Sequence, residues 1–163
     1  MFKNKQGLCI LMTISVADIM KKKLETIKEM ASVQQAAQKM KEKNVSSLVV
    51  VDEAGKPQGL VTERDLATKI CINNVLASAV TNNEIMSSPL LTISADSSPS
   101  IAADMMLQHN IRHLLVVDKN NVTNARPIGI VTPLDFTRYQ VLTNDNVDTH
   151  SIEKIMEEYR QIY

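Results

Sequence analysis

At 163 residues the chain fits one compact domain or two very small ones. Its 18 Lys and Arg balance 18 Asp and Glu, so no global basic field recruits nucleic acid, and no apolar run reaches the length that crosses a membrane. Aromatic residues make up 3% against 44% apolar in total, with no Trp, so the core is aliphatic and a planar ligand would be gripped by aliphatic chains rather than stacked on rings. Cys9 and Cys71 have neither metal-type spacing nor the number for a disulfide framework, which points to the reducing cytoplasm.

The amino-terminal segment, residues 1–14, carries Lys3 and Lys5 before the apolar run that starts at Leu8 and ends at Ala17. It has the loose form of a secretory signal, but its shortness favours an apolar extension packed on the body or on a partner.

From residue 15 onward the chain is written twice. Asp18-Ile19-Met20 recurs 66 positions later as Glu84-Ile85-Met86, Thr26-Ile27 as Thr92-Ile93, and the stretch from Asn44 to Asp52 as that from Asn110 to Asp118. Gly59-Leu60-Val61-Thr62-Glu63-Arg64-Asp65 recurs 70 positions later as Gly129-Ile130-Val131-Thr132-Pro133-Leu134-Asp135, so four extra residues sit in the second copy near 120–126. The copies span 15–80, with its linker, and 84–142.

Each copy shows the same elements in order. An extended stretch ends near Ile27 or Ile93. A helix follows, capped by Ser32 with Gln35 in the first copy and by Ser98 with Pro99 in the second. Val33, Ala36, Ala37 and Met40 form its apolar stripe, matched by Ala102, Ala103 and Met106. Leu48 to Val51 and Leu114 to Val117 read as buried strands. After a turn, Gly59 to Val61 and Ile128 to Val131 read as second strands running into another helix. The order is β-α-β-β-α, twice: an α/β (α+β) fold. Each half is too small to stand alone, so the two pack with approximate two-fold symmetry. Residues 146–163 form a last helix with Ile152, Ile155, Met156, Tyr159 and Ile162 on one face. It either packs back on the pair or meets a partner.

The pattern Gly-apolar-apolar-Thr-x-x-Asp after a Val-Val-Asp strand resembles the cystathionine-β-synthase-type domain, or CBS domain. Two copies in register resemble the tandem CBS pair, the Bateman module, over residues 15–142. That resemblance implies a regulatory protein that binds adenosine-containing ligands in clefts between the copies.

The residues themselves agree. Thr62 and Thr132 stand where a strand turns into a helix, where free backbone N–H groups favour phosphate. Asp65 and Asp135 can accept hydrogen bonds from both ribose hydroxyls. Gly59 and Gly129 let a ligand approach the backbone closely. Thr-x-x-Asp is equally a capping box, and Pro133 removes one donor from the second motif. By resemblance, each cleft draws on both copies. Thr62, Arg64 and Asp65 face Ile111, Arg112 and His113 with the segment after Met86. Thr132 and Asp135 face Val45 and Ser46 with the segment after Met20. Arg64, Arg112 and His113 make the first cleft cationic. The second has neutral Ser46 and Ser47, with Lys21-Lys22-Lys23 read as a solvated turn nearby.

These observations predict a module sensing AMP, ADP, ATP or a related adenosyl compound, with or without Mg2+, and no covalent cofactor. It would modulate a partner protein and would itself be a homodimer joined through helix faces such as that of Leu66 and Ile70. The alternative is a ligand-free dimerisation scaffold. An enzyme is not expected: no nucleophile has a base beside it, and neither a Walker loop nor a metal cluster is present. His109 and His150 lack a partner at metal spacing and read as surface residues, and the nine Met read mostly as core.

Overall fold

The computed structural model describes residues 14–118, 127–137 and 150–161. The amino-terminal extension, Cys9, the extra loop residues near 120–126 and Ile162 lie outside them. The described elements are α1 (Val16–Ile19), β1 (Thr26–Lys28), α2 (Val33–Lys43), β2 (Ser47–Val51), β3 (Pro57–Thr62) and α3 (Glu63–Asp65). A π-helical stretch, Leu66–Cys71, continues α3. Then come α4 (Asn82–Ile85), β4 (Thr92–Ser94), α5 (Pro99–His109), β5 (Leu114–Val117), β6 (Gly129–Val131), a 3-10 turn (Pro133–Asp135) and α6 (His150–Arg160).

The expected β-α-β-β-α order is present in the first copy, and the second repeats it through β6 and the 3-10 turn at Pro133–Asp135, where the expected last helix runs beyond the described residues. In the first, β1 pairs parallel with β2 and β2 pairs antiparallel with β3. In the second, β4, β5 and β6 repeat that arrangement. The helix caps work as the sequence predicts. Gln35 N–H donates to Ser32 Oγ at 3.3 Å while Gln35 Oε1 accepts from Ser32 N–H at 3.0 Å. Ser98 Oγ accepts from Ile101 N–H, with Pro99 in the first turn. Helices α2 and α5 both end on an asparagine, Asn44 (φ 52°) and Asn110 (φ 51°), whose left-handed backbone stops the helix and turns the chain into the next strand.

Three apolar clusters hold the fold. One lies beneath the first sheet and includes Val33, Ala36, Met40, Leu48 and Val61. One lies beneath the second and includes Ala102, Ala103, Met106, Leu114 and Val131. The third joins the sheets face to face through Val49, Val51 and Leu60 of the first copy and Leu115 and Ile130 of the second.

The short helices α1 and α4 exchange places. Val16 and Ile19 of α1 are buried in the second copy's cluster, whereas Ile85 of α4 is buried in the first copy's. The tethers match pair by pair. Val16 N–H donates to Ser97 O and Ala17 N–H to Ala95 O, while Asn82 N–H donates to Ala31 O and Asn83 N–H to Glu29 O. Each donor and acceptor is displaced by the same 66 positions, so the approximate two-fold extends to single hydrogen bonds. The copies as read along the chain are therefore not the copies in space: each opens inside its neighbour.

One sequence expectation is corrected and one open alternative is decided. Ile70 is 5% exposed and lies in the first copy's core with Leu66 packed against it, so that face is not a free dimer surface. The exposed apolar side chains lie just beyond, at Ile72, Val75 and Leu76. The carboxy-terminal helix packs back on the pair. Ile152, Ile155 and Met156 of α6 are buried in the second copy's cluster, and α6 lies along α5. Met20, Met40, Met106 and Met156 are core residues as expected, but Met30 is exposed. No helix among the described residues is long and apolar enough to cross a membrane.

Candidate functional site

The two glycines do admit a close backbone approach, and the chain itself makes it. Ser87 and Leu60 exchange backbone hydrogen bonds at 2.8 and 3.1 Å, and a Cβ on Gly59 would fall 2.9 Å from Ser87 O and 2.7 Å from Met86 Cγ. Lys21 and Ile130 exchange the equivalent bonds at 2.9 and 3.0 Å, and a Cβ on Gly129 would fall 2.9 Å from Lys21 O. The occupants are Met86 and Met20 with the residues after them, which corrects the expectation that the glycines clear space for a ligand.

Those crossings bring the segment after Met20 to the Thr132–Asp135 motif and the segment after Met86 to the strand that ends at Thr62. Both motifs are capping boxes. Asp65 Oδ2 accepts from Thr62 N–H at 2.9 Å and from Thr62 Oγ1 at 2.6 Å. Asp135 Oδ2 accepts from Thr132 N–H at 2.9 Å and from Thr132 Oγ1 at 2.8 Å. Capping consumes one carboxylate oxygen and leaves Oδ1, so the two readings of Thr-x-x-Asp coexist in one side chain.

The Oδ1 atoms are held differently. Lys69, one helical turn beyond Asp65, places Nζ 2.8 Å from Asp65 Oδ1 and also donates to Ile85 O at 2.6 Å. Asp135 Oδ1 faces Lys21 Nζ at 4.0 Å. Among the described residues no hydrogen bond reaches Asp135 Oδ1, and its side chain is 2% exposed. Lys21 is exposed, as the sequence suggests, but its backbone is paired with Ile130 instead of turning freely. Lys69 was visible in the sequence as the i+4 partner of Asp65 on a helix. Lys21 was visible only through its alignment with Ser87.

His113 is half-buried, within electrostatic reach of Asp65, Arg112 and Lys21. Burial, reinforced by the Arg112 and Lys21 cations and opposed by Asp65, pushes its pKa down to about 4. Arg112 is half-buried and Arg64 exposed. Ile111 packs against the second copy's core and Val45 against the first's. Ser46 is exposed, and its carbonyl accepts from Glu63 N–H at 3.0 Å, beside its own copy's motif. Arg112 also lines a pocket of about 290 Å3 with Ile111, Pro133, Ile155, Glu158 and Tyr159, so it borders α6 as well. Among the described residues no group of His, Cys, Asp and Glu has the arrangement of a metal site.

A family model for the CBS domain matches residues 16–71 and 83–142. An uncharacterised protein of Methanopyrus kandleri, MK0525, is 31% identical over 128 residues, which is 78% of this chain and 63% of that one; the chain thus spans less than two thirds of that relative. A conserved CBS domain protein of unknown function from Thermoplasma acidophilum, TA0289, shares the fold with a TM-score of 0.75 at 26% identity, over 91% of this chain and 78% of that one. The CBS domain pair of protein MJ0100, solved in complex with 5'-methylthioadenosine and S-adenosyl-L-methionine, superposes with a TM-score of 0.66 at 31% identity, over 78% of this chain and 95% of that one.

Proposed function

We propose that this chain, which belongs to the CBS-domain family, is a regulatory module that binds an adenosine-containing ligand between its two copies and passes the bound state to a partner protein. One observation carries the reading. Each Thr-x-x-Asp carboxylate spends one oxygen on its own cap and turns the other toward a cation or, at Asp135, toward a cation from the other copy. A ribose diol needs such an acceptor, and a ligand seated at Asp135 would meet the exchanged segment that joins the two copies. Binding then favours one relative placement of the copies over another, which is the differential contact that regulation requires. The adenosyl ligands held by the MJ0100 pair, at 31% identity, support the same ligand class.

In this reading the site residues are Thr62, Arg64, Asp65 and Met86 with Ile111, Arg112 and His113 on one side. On the other they are Thr132, Asp135 and Met20 with Val45 and Ser46. The module acts by binding rather than turnover, as a cytoplasmic homodimer. The exposed Ile72, Val75 and Leu76 support the dimer, and mass by light scattering at micromolar concentration tests it.

The test of the ligand is a thermal-shift panel of AMP, ADP, ATP, NAD, S-adenosylmethionine and cyclic dinucleotides, with and without Mg2+. A ligand at 100 times its Kd stabilises by about 2.7 kcal/mol, which raises Tm by about 5 °C or more. A folded protein whose Tm no compound moves, in a dimer that forms regardless, would leave the scaffold reading in its place.

A further inference from the structure

Lys21 stands in a run of three lysines that the sequence marks as an ordinary exposed turn, yet its backbone is not free. Its N–H donates to Ile130 O at 2.9 Å and its carbonyl accepts from Ile130 N–H at 3.0 Å. The preceding Met20 places its sulfur against Gly129. These contacts pin Lys21 to a strand of the other copy, two residues before Thr132. From there Nζ reaches to 4.0 Å from Asp135 Oδ1, while the Lys21 side chain remains 46% exposed. The ammonium thus covers the carboxylate on its solvent side, so a ligand that draws Lys21 outward reaches Oδ1 behind it.

The pseudo-symmetric position is Ser87. Its backbone is pinned to Leu60 by the same pair of bonds, at 2.8 and 3.1 Å, so the two positions share their geometry and differ in charge. The Asp65 oxygen is instead held by Lys69 from its own helix at 2.8 Å. Lys21 is therefore a cation delivered by one copy to the motif of the other.

We propose that Lys21 makes the Asp135 cleft select phosphate-bearing ligands: Asp135 Oδ1 takes the ribose hydroxyls and Lys21 Nζ takes an anionic oxygen at the other end of the sugar. This deepens the nucleotide reading above and rests on it. An ammonium bonded to a phosphate gains a charge-assisted hydrogen bond, and losing one weakens binding by about 10- to 100-fold. A ligand without phosphate gives Lys21 nothing to grip, so its affinity is independent of that side chain.

The experiment is titration calorimetry of AMP and of adenosine on the wild type, Lys21→Ser and Lys21→Arg. Lys21→Ser installs the residue of the equivalent position, which keeps the backbone pairing. The expected result is AMP binding at one site weakened about 10-fold or more by Lys21→Ser, adenosine binding unchanged, and AMP binding retained by Lys21→Arg. An unchanged AMP-to-adenosine ratio in Lys21→Ser overturns the proposal and leaves the nucleotide reading standing. Equal weakening of both ligands also overturns it, since Lys21 would then be shaping the cleft and not reading phosphate. If the wild type binds neither compound, the nucleotide reading fails and Lys21's role fails with it. If the Lys21→Ser protein shows an altered Tm, Lys21→Gln repeats the ratio with a longer side chain.

Discussion

Met86 lies across Gly59, its side chain filling the space that a Cβ there would need. Met20 lies across Gly129 in the same way. The two contacts are where the exchanged segments cross the sheets, so each glycine is a joint between copies. Gly59→Ala and Gly129→Ala should each cost about 1–3 kcal/mol, because the obstructing atoms include the backbone carbonyls of Ser87 and Lys21, which cannot step aside as a flexible side chain can. Urea unfolding checks this.

Much of the fold was legible because its signals are local. The short apolar runs, the period-3.6 stripe and the serine caps each report on a few neighbouring residues, and each proved to mark an element or its end. The exchange of α1 and α4 was not legible, because an apolar Val16-Ile19 face says that it will be covered and not by which copy. The same limit misassigned Leu66 and Ile70 to a dimer surface. At the site, Thr-x-x-Asp was recognisable from spacing, but a spacing does not show which oxygen the cap consumes. That division, and the different cations on the remaining Oδ1 atoms, emerges only from the crossing of segments far apart in the chain.

His113 gives stability a pH dependence. An ordinary histidine titrates near 6.5, and here burial and the Arg112 and Lys21 cations hold the pKa near 4 against the opposing pull of Asp65. The folded state thus favours the neutral ring, and the unfolded chain binds more protons between those values. This contribution is complete above about pH 6.5 and is lost as pH falls through about 4. Unfolding followed at pH 7.5, 5.5 and 4.5 should show the decline, and His113→Gln should flatten it. A decline of equal slope in the variant would assign the effect to other groups. Asp18 and Glu84 contribute only at lower pH, since hydrogen bonds from Ser15 and Thr81 hold both below their usual carboxylate values.

The carboxy-terminal helix should be integral to the second copy. Ile155 is 4% exposed within the cluster that contains Met106 and Leu114. Ile155→Ala should therefore cost about 2–5 kcal/mol, whereas truncating the exposed Glu157 on the other side of the helix should fall within about 0.5 kcal/mol. Denaturant midpoints of the two variants measure the contrast. Near-equal values would mean that α6 docks weakly in solution.

Asp65 and Lys69 should respond in opposite directions to mutation. Asp65→Ala removes the acceptor of the Thr62 cap, which costs about 0.5–2 kcal/mol of stability, and it removes the proposed ribose acceptor, which lowers ligand affinity at that cleft about 10- to 100-fold. Lys69→Met leaves the cap intact. It releases the ammonium that sits 2.8 Å from Asp65 Oδ1, together with its hydrogen bond to Ile85 O, and the half-exposed i,i+4 pair itself contributes under about 1 kcal/mol. A ribose hydroxyl must displace that ammonium to bond Oδ1, so removing it lowers the cost of binding. Adenosine is the probe, because it has no phosphate for Lys69 to attract. Calorimetry should find adenosine bound more tightly by Lys69→Met than by the wild type and more weakly by Asp65→Ala. If Lys69→Met instead weakens adenosine as much as Asp65→Ala does, Lys69 belongs to the binding surface and is no competitor for the carboxylate.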